Sequence, residues 1–306
     1  MKSALIWLSR SKWAKEFTKK HGFFRRFSSR FVAGETLGQA IGAVKTLNSL
    51  GIIATLDHLG ENTTNAEEAR KSAESYIDAI REIKSSGVDS NVSLKLTQMG
   101  IDISDDECIE NVGRISEEAK RNGNFVRIDM ESSAYTEKTL NILRILHGEY
   151  GNVGIVIQSY LKRSADDVDS LLKLGANVRI VKGAYREPLS LVFPKKHDVD
   201  ENFMSLVEKM LSESAQKAGC KVAIATHDEK IIKRCEKLIS ERKIGKERYE
   251  FQMLYGIRRD LQRALSKNHT VRVYVPYGTE WYPYFMRRLA ERPANLLFLL
   301  KNLFNA

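Results

Sequence analysis

Val271–Pro293 reads VRVYVPYGTEWYPYFMRRLAERP. Apolar residues alternate from Val271 through Val273 to Val275, the two-residue period of a strand, and Pro276 with Gly278 is expected to stop it there. Helical spacing resumes at Trp281, so a buried strand hands over to a helix. On that helix Tyr284, Arg287, Arg288 and Glu291 fall at i, i+3, i+4 and i+7, which puts an aromatic ring, two guanidiniums and a carboxylate on one face. Paired guanidiniums are planar forks that match a carboxylate or a phosphate. The same spacing also describes a solvated basic face with a local ion pair. What decides between the two is whether this strand and helix belong to a larger repeat.

Seven more short apolar, β-branched runs precede it, at Ile52–Asp57, Asn91–Leu96, Phe125–Asp129, Val153–Ile157, Asn177–Val181, Lys221–Ala225 and Tyr249–Met253. Amphipathic helical patterns lie between them, among them Glu67–Lys84, Asp105–Asn122, Thr136–Tyr150, Ala165–Leu174, Glu201–Ala218 and Glu229–Arg242. Eight strands separated mostly by helices imply parallel βα units, and eight such units predict a closed (β/α)8 barrel of the TIM type, somewhat distorted. An open doubly wound sheet would carry a glycine-rich phosphate turn after its first strand. Here that place reads Asp57-His58-Leu59-Gly60-Glu61.

A chain of 306 residues is long enough for one barrel with an ample core. The expected organisation is a basic, amphipathic helical arm over residues 1–30 and a barrel over 31–306. Lysine and arginine number 49 against 39 acidic residues, for a formal charge of +10, and the two signs are interspersed everywhere except in the arm. The arm sets Trp7, Trp13, Phe17, Phe23, Phe24 and Phe27 among lysines and arginines. Resting on an anionic bilayer and packing across the fold are both open to such a segment. A third reading makes it a nucleic-acid binder, but no nucleic-acid partner is expected. No run of eighteen apolar residues occurs, so no membrane span is expected. The apolar run Leu296–Leu300 is short enough to pack on the barrel. Cys108, Cys220 and Cys235 have neither metal-ligand nor C-x-x-C spacing, and we read them as buried thiols in a reducing compartment. The expected location is the cytoplasm, with peripheral membrane contact left open.

In such barrels the chemistry is assembled where the strands end. Strand one leads to Asp57, His58 and Glu61, strand two to Lys95, strand three to Asp129 and Glu131, and strand four to Gln158. Strand five offers Arg179 and Lys182 before Gly183-Ala184-Tyr185, strand six Thr226-His227-Asp228, strand seven Gln252 and Tyr255, and strand eight Tyr274. The set is mixed in sign. Lys95, Arg179, Lys182, Arg287 and Arg288 suit a substrate carboxylate and cofactor phosphates, while Glu61, Asp129, Glu131 and Glu291 suit the task of holding those cations in place. The long connection from Gly183 to Asn202 has the length of a segment that covers a ligand. Two other chemistries fit strand-end groups of these types: a metal-dependent hydrolase built on Asp57, His58, Glu61, Asp129, Glu131, His227 and Asp228, and a Schiff-base lyase using Lys95 or Lys182. Neighbouring cations and the absence of an H-x-H spacing oppose the first, and no metal is expected.

The segments RIVKGAY (Arg179–Tyr185), IATHD (Ile224–Asp228), FQMLYG (Phe251–Gly256), VRVYVPYG (Val271–Gly278) and YFMRRLAERP (Tyr284–Pro293) resemble the proline dehydrogenase family. SLKLTQMG (Ser93–Gly100) and RIDMES (Arg127–Ser132) extend the likeness over roughly residues 31–295. The resemblance implies a flavin-dependent barrel that oxidises L-proline to 1-pyrroline-5-carboxylate, the first step of proline catabolism. It implies FAD held noncovalently, a membrane quinone as electron acceptor, and the monofunctional form without an aldehyde dehydrogenase module.

Carried over by position, the resemblance makes Arg287 and Arg288 the pair that binds the proline carboxylate, with Lys95 beside it. Glu61 and Glu291 are their acidic supports, Tyr274 and Leu254 contact the apolar ring, and Asp129 belongs to the catalytic network. Tyr185 stands near the substrate. Gln158, Arg179, Val181, Lys182, Gly183, Ala184, Thr226, His227 and Gln252 fall at FAD-contacting positions. Tyr284, on the same helical face as the arginines, is expected to touch substrate too. Residues 1–30 match no motif of the family.

Overall fold

Short β-branched stretches with apolar residues at every second position, set off by longer helical patterns, mark out strands. That is why the eight runs stand out. In a computed structural model of the chain, which describes residues 29–291 with side chains to Arg288, they form β1 (Ile53–His58), β2 (Ser90–Leu94), β3 (Val126–Ile128), β4 (Val153–Gln158), β5 (Asn177–Val181), β6 (Lys221–Ala225), β7 (Tyr249–Leu254) and β8 (Val271–Tyr277). Each pairs in parallel with the next, and β8 pairs with β1 to close the barrel. The predicted (β/α)8 architecture is the one found. The expected arm and the run Leu296–Leu300 fall in parts of the chain outside the described residues, the arm up to residue 28.

The helices are α1 (Leu37–Asn48), α2 (Ala66–Ser85), α3 (Asp105–Arg121), α4 (Thr136–Tyr150), α5 (Ser164–Lys173), α6 (Lys196–Met210), α7 (Glu213–Lys217), α8 (Glu229–Glu241), α9 (Arg259–Ser266) and α10 (Trp281–Glu291). Thr36, Asn65 and Ser104 start the first three, each accepting the amide three residues on. Among the described residues no helix is long and apolar enough to cross a membrane.

Alternation along the strands gives the barrel wall two different faces. Ala54, Leu56, Val92, Leu94, Val126 and Ile128 belong to the apolar core that the helices cover. Their neighbours Asp57, Ser93, Lys95 and Asp129, with Arg179 and Tyr274, bond to one another across the barrel. The interior near the strand ends is therefore a polar network rather than a packed apolar plug. All three cysteines are buried thiols.

Several boundaries differ from the sequence expectation. β8 continues through Pro276 to Tyr277, where the proline was expected to end it. The chain entering the barrel lies alongside and continues the ladder on either side of the residue that lacks a donor: Ala33 donates to the Pro276 carbonyl at 2.9 Å and Gly278 donates to Gly34 at 3.0 Å. β2 ends at Leu94, since a short 3₁₀ turn at Leu96–Gln98 takes over and leaves Lys95 at the strand tip. The helix expected at Glu201–Ala218 starts earlier, at Lys196, and is cut in two. Ser212 opens the second piece by accepting the Ala215 amide. The loop after β5 is correspondingly shorter, ending at Lys195. Helices α1 and α9 were not among those expected.

Candidate active site

The substrate-side and cofactor-side residues carried over from the family all line one cavity of about 770 Å³ at the C-terminal mouth of the barrel, whereas the strand-end candidates Asp57, His58, Glu61, Glu131 and Tyr255 do not line it. That volume is in the range of small-molecule and cofactor sites. The side chain of Glu291 lies outside the described residues. Glu61 stands one contact behind the wall, its carboxylate taking both terminal nitrogens of Arg287 at 3.1 and 2.5 Å.

The cationic end is built from three elements. Lys95, on the tip of β2, is buried, with its ammonium 3.2 Å from both oxygens of Asp57, 3.5 Å from the Tyr274 hydroxyl and 3.7 Å from Asp129. Helix α10 brings Tyr284, Arg287 and Arg288 to the cavity, as the i, i+3, i+4 spacing required. Arg288 lies over the Tyr284 ring at 5.2 Å. Arg287 and Arg288 thus open onto the same space as Lys95, and three positive groups converge there.

Burial opposes the charge on Lys95, but the carboxylates of Asp57, Asp129 and Glu61 outweigh it and push the pKa up. This favours an ammonium anchor. It speaks against a Schiff-base lysine, which needs a depressed pKa. Burial likewise opposes the Glu61 carboxylate, and the adjacent Arg287 overrides it, holding the group below the usual range. Asp129 is held down in the same way. Its desolvation is offset by Arg179, by Lys95 and by the hydroxyls of Ser93 and Tyr274.

Asp129 is the hub of the network. It accepts from Ser93 at 2.7 Å, from Arg179 at 2.7 Å and from the Tyr274 hydroxyl at 2.8 Å. Arg179 also sits over the Tyr274 ring, at 5.4 Å. Glu131, expected to hold a cation, does not do so. Among the described residues it forms no ion pair and accepts instead from the Thr97 amide at 3.0 Å and hydroxyl at 2.7 Å. The turn after β2 presents those donors first, and burial raises the pKa of the Glu131 carboxyl against the lowering effect of the Thr97 bonds.

The rest of the cavity is suited to a large, partly anionic group. Gln158 is fixed by donating to the Glu131 carbonyl at 2.9 Å, and His227 accepts the Leu254 amide on Nε2 at 3.0 Å. Lys182 stands 2.6 Å from Asp200 and 2.8 Å from Asp228. Arg179 lines the cavity and keeps a buried Nε–H without a partner among the described residues, and a buried donor left unpaired is costly. Gly183 has φ +119°, and a Cβ there would come within 2.2 Å of the Tyr160 ring, so backbone and not side chain forms the wall at that point. Among the described residues no three of His, Cys, Asp or Glu gather closely enough to hold a metal ion.

Sequence reasoning missed several participants. Asp57 appeared only as a metal candidate, yet it is the direct partner of Lys95 and also accepts from the Tyr76 hydroxyl at 3.2 Å. Ser93 could have been found two residues before Lys95, on the same inward face. Lys196 and Arg258 complete the cavity wall from a helix start and a loop whose direction no periodicity records, while Asp228, expected at the end of strand six, lines it too.

The family model for proline dehydrogenase matches residues 40–301. Proline dehydrogenase 1 of Bacillus subtilis (strain 168) is 42% identical over 304 residues, covering 99% of each chain. A proline dehydrogenase of Deinococcus radiodurans is 43% identical over 282 residues, which is 90% of this chain and 89% of that one. Among solved structures, proline utilization A from Bdellovibrio bacteriovorus, inactivated by N-propargylglycine, superposes with a TM-score of 0.82 at 25% identity. That match covers 91% of this chain and 34% of the other, so this chain spans about a third of that larger protein. A family match over most of the chain, joined by near full-length relatives at 42 and 43% identity, places it: the chain belongs to the proline dehydrogenase family.

Proposed function

We propose that this chain oxidises L-proline to 1-pyrroline-5-carboxylate with a noncovalently held FAD, and that the electrons leave to a membrane quinone. Oxidation of proline follows from family membership. The product, the cofactor and the acceptor are our reading, as are the individual residue roles. The observation that carries them is the convergence of Lys95, Arg287 and Arg288 on the cavity that Gln158, Arg179, Lys182 and Gln252 also line.

Proline has one anionic handle and an apolar ring. Two guanidinium forks and an ammonium bind the carboxylate, with Glu61 holding Arg287 in its orientation. Tyr274, Leu254 and Tyr185 flank the ring. Tyr274 is held by its bond to Asp129, so the aromatic face is rigid. Bound flavin supplies the acceptor for the hydride that leaves the ring carbon. The residues need supply no nucleophile, and their task is to bind, orient and exclude water. The unpartnered Arg179 Nε–H and the side-chain-free wall at Gly183 support a fit to the cofactor. A membrane acceptor is supported by Leu189 and Leu191, which are 74% and 44% exposed on the loop that carries Tyr185.

The test is an absorption spectrum. Purified protein is expected to be yellow or to take up added FAD, and to bleach under anaerobic conditions on addition of L-proline. Colourless protein that refuses FAD, or a flavin spectrum unmoved by proline, overturns the proposal.

A further inference from the structure

Tyr185 reaches the cavity from an exposed loop. Between β5 and α6 the chain runs for fourteen residues, 182–195, with no helix or strand of its own. Both ends of the loop are tied to the segment after β4: Tyr160 N to Lys182 O at 2.9 Å at the start, and Lys162 N to Leu191 O at 2.9 Å, Phe193 N to Tyr160 O at 2.9 Å and Lys162 Nζ to Ser190 O at 3.0 Å at the end. Between those ends, just past Tyr185, a side chain supplies a further tie. Glu187 accepts the Ser133 amide at 2.8 Å, the Ser133 hydroxyl, and the Tyr160 hydroxyl at 3.4 Å. Ser133 opens the turn that follows β3. A single carboxylate thus joins the connections after β3, β4 and β5.

This carboxylate is no solvated surface charge. It is half-buried, and among the described residues no lysine or arginine forms an ion pair with it. It does not line the cavity either. Tyr160 holds both ends of the short span that contains Tyr185: its ring packs on Gly183 and its hydroxyl meets Glu187. Tyr185 sits midway between those two anchors in the chain and lines the cavity together with Lys95 and Arg287.

We infer that Glu187 is a positioning residue for substrate binding, acting through Tyr185 by clamping its loop to Ser133 and Tyr160. The inference rests on the reading that proline binds beside Tyr185. A loop with few anchors loses its order when one is cut, and a wall residue displaced by an ångström costs affinity more than it costs folding.

Steady-state kinetics of the holoenzyme with L-proline and a soluble dye acceptor test this in a cycle of Glu187→Ala, Tyr185→Ala and the double variant. Glu187→Ala is expected to lower kcat/KM at least fivefold, mainly through KM, with flavin content and thermal midpoint close to wild type. In the Tyr185→Ala background the same change should cost less than twofold, because the residue it acts through is gone. An equal loss in both backgrounds, or no loss in a folded, flavin-loaded variant, overturns the inference. Should Glu187→Ala not fold, Ser133→Ala and Tyr160→Phe each remove one tie and are expected to lose twofold to fourfold in kcat/KM. Both unchanged would also overturn it. Wild type inactive on proline would sink the underlying reading and this inference with it, whereas active wild type with indifferent Glu187 variants sinks only the inference.

Discussion

The two adjacent arginines of α10 are held differently, and that difference predicts different failures. Arg287 is fixed by two bonds to Glu61, while Arg288 lies on the face of Tyr284. Arg287→Met removes one fork from the carboxylate site and also leaves Glu61 facing a cavity without its cation. Arg288→Met removes the other fork together with its contact on the Tyr284 ring. Each substitution is expected to raise KM for proline about tenfold or more, the worth of one charge-assisted hydrogen bond of roughly 1.5–3 kcal/mol, while flavin stays bound. Arg287→Met should in addition lower the unfolding midpoint in urea, because it breaks the pair with Glu61. An unchanged midpoint in Arg287→Met would remove Glu61 from the account, and an unchanged KM in both variants would remove the arginines. Behind them Asp57 has a related role. It meets Lys95 with both oxygens and takes the Tyr76 hydroxyl as well. Asp57→Asn keeps the size but discards half of the charge that balances a buried ammonium, so a stability loss of about 2–4 kcal/mol is expected by chemical denaturation. A loss below about 1 kcal/mol would mean that Asp129 alone suffices.

At the scale of elements, strands were the most legible part of the chain. A barrel strand is apolar toward the helices and bounded by helical patterns, and both signals are local. Boundaries were less legible where a neighbour distant in sequence compensates a local fault. Pro276 reads as a strand breaker, and only Ala33, some 240 positions away, shows why it is not. The strand-end cations and carboxylates were legible by position, whereas their pairing was not. Asp57, Lys95 and Tyr76 come from β1, the tip of β2 and α2, and the parallel pairing of β1 with β2 beneath α2 brings them together. Glu131 was assigned to a cation because sign was the only evidence, while the actual competition lay with the donors of Thr97. Gly183 offers a prediction at this scale, since it sits where the end of β5 becomes the wall of the cavity. At φ +119° and 2.2 Å from Tyr160, Gly183→Ala must distort the loop. It is expected to lower the flavin-to-protein ratio by at least half after gel filtration. Gly51→Ala is the control: it has φ +70° and open space around it, so it carries backbone strain of about 1 kcal/mol and should leave flavin content unchanged. Equal flavin loading in the two variants would show that the Gly183 wall does not hold the cofactor.

Across the whole molecule, the pair Glu61 and Arg287 links the end of β1 to the helix that follows β8. It therefore spans the seam where the barrel closes, alongside the apolar contact of Phe31 with Phe285, whose rings are 6.3 Å apart. This gives the attachment of α10 a pH dependence of known sign. The Glu61 carboxyl is held below its ordinary value because Arg287 outweighs the effect of burial. A group with a depressed folded pKa contributes stability that is complete above its unfolded value, about 4.3, and that fades as pH falls through the lower folded value. Glu131 has the opposite sign, since burial raises its pKa and acid relieves a penalty. Glu61 is the smallest of the influences on it, so most of its contribution is common to wild type and Glu61→Gln and drops out of their difference. That difference in unfolding free energy is expected to be about 1–3 kcal/mol and flat between pH 7 and 5, and to shrink below pH 4 as wild type loses its ion pair. Urea unfolding at pH 7, 5, 4 and 3 measures it. A difference that persists at pH 3 would mean that the ionised pair does not hold the seam and that α10 stays in place through Phe31, Phe285 and their apolar neighbours.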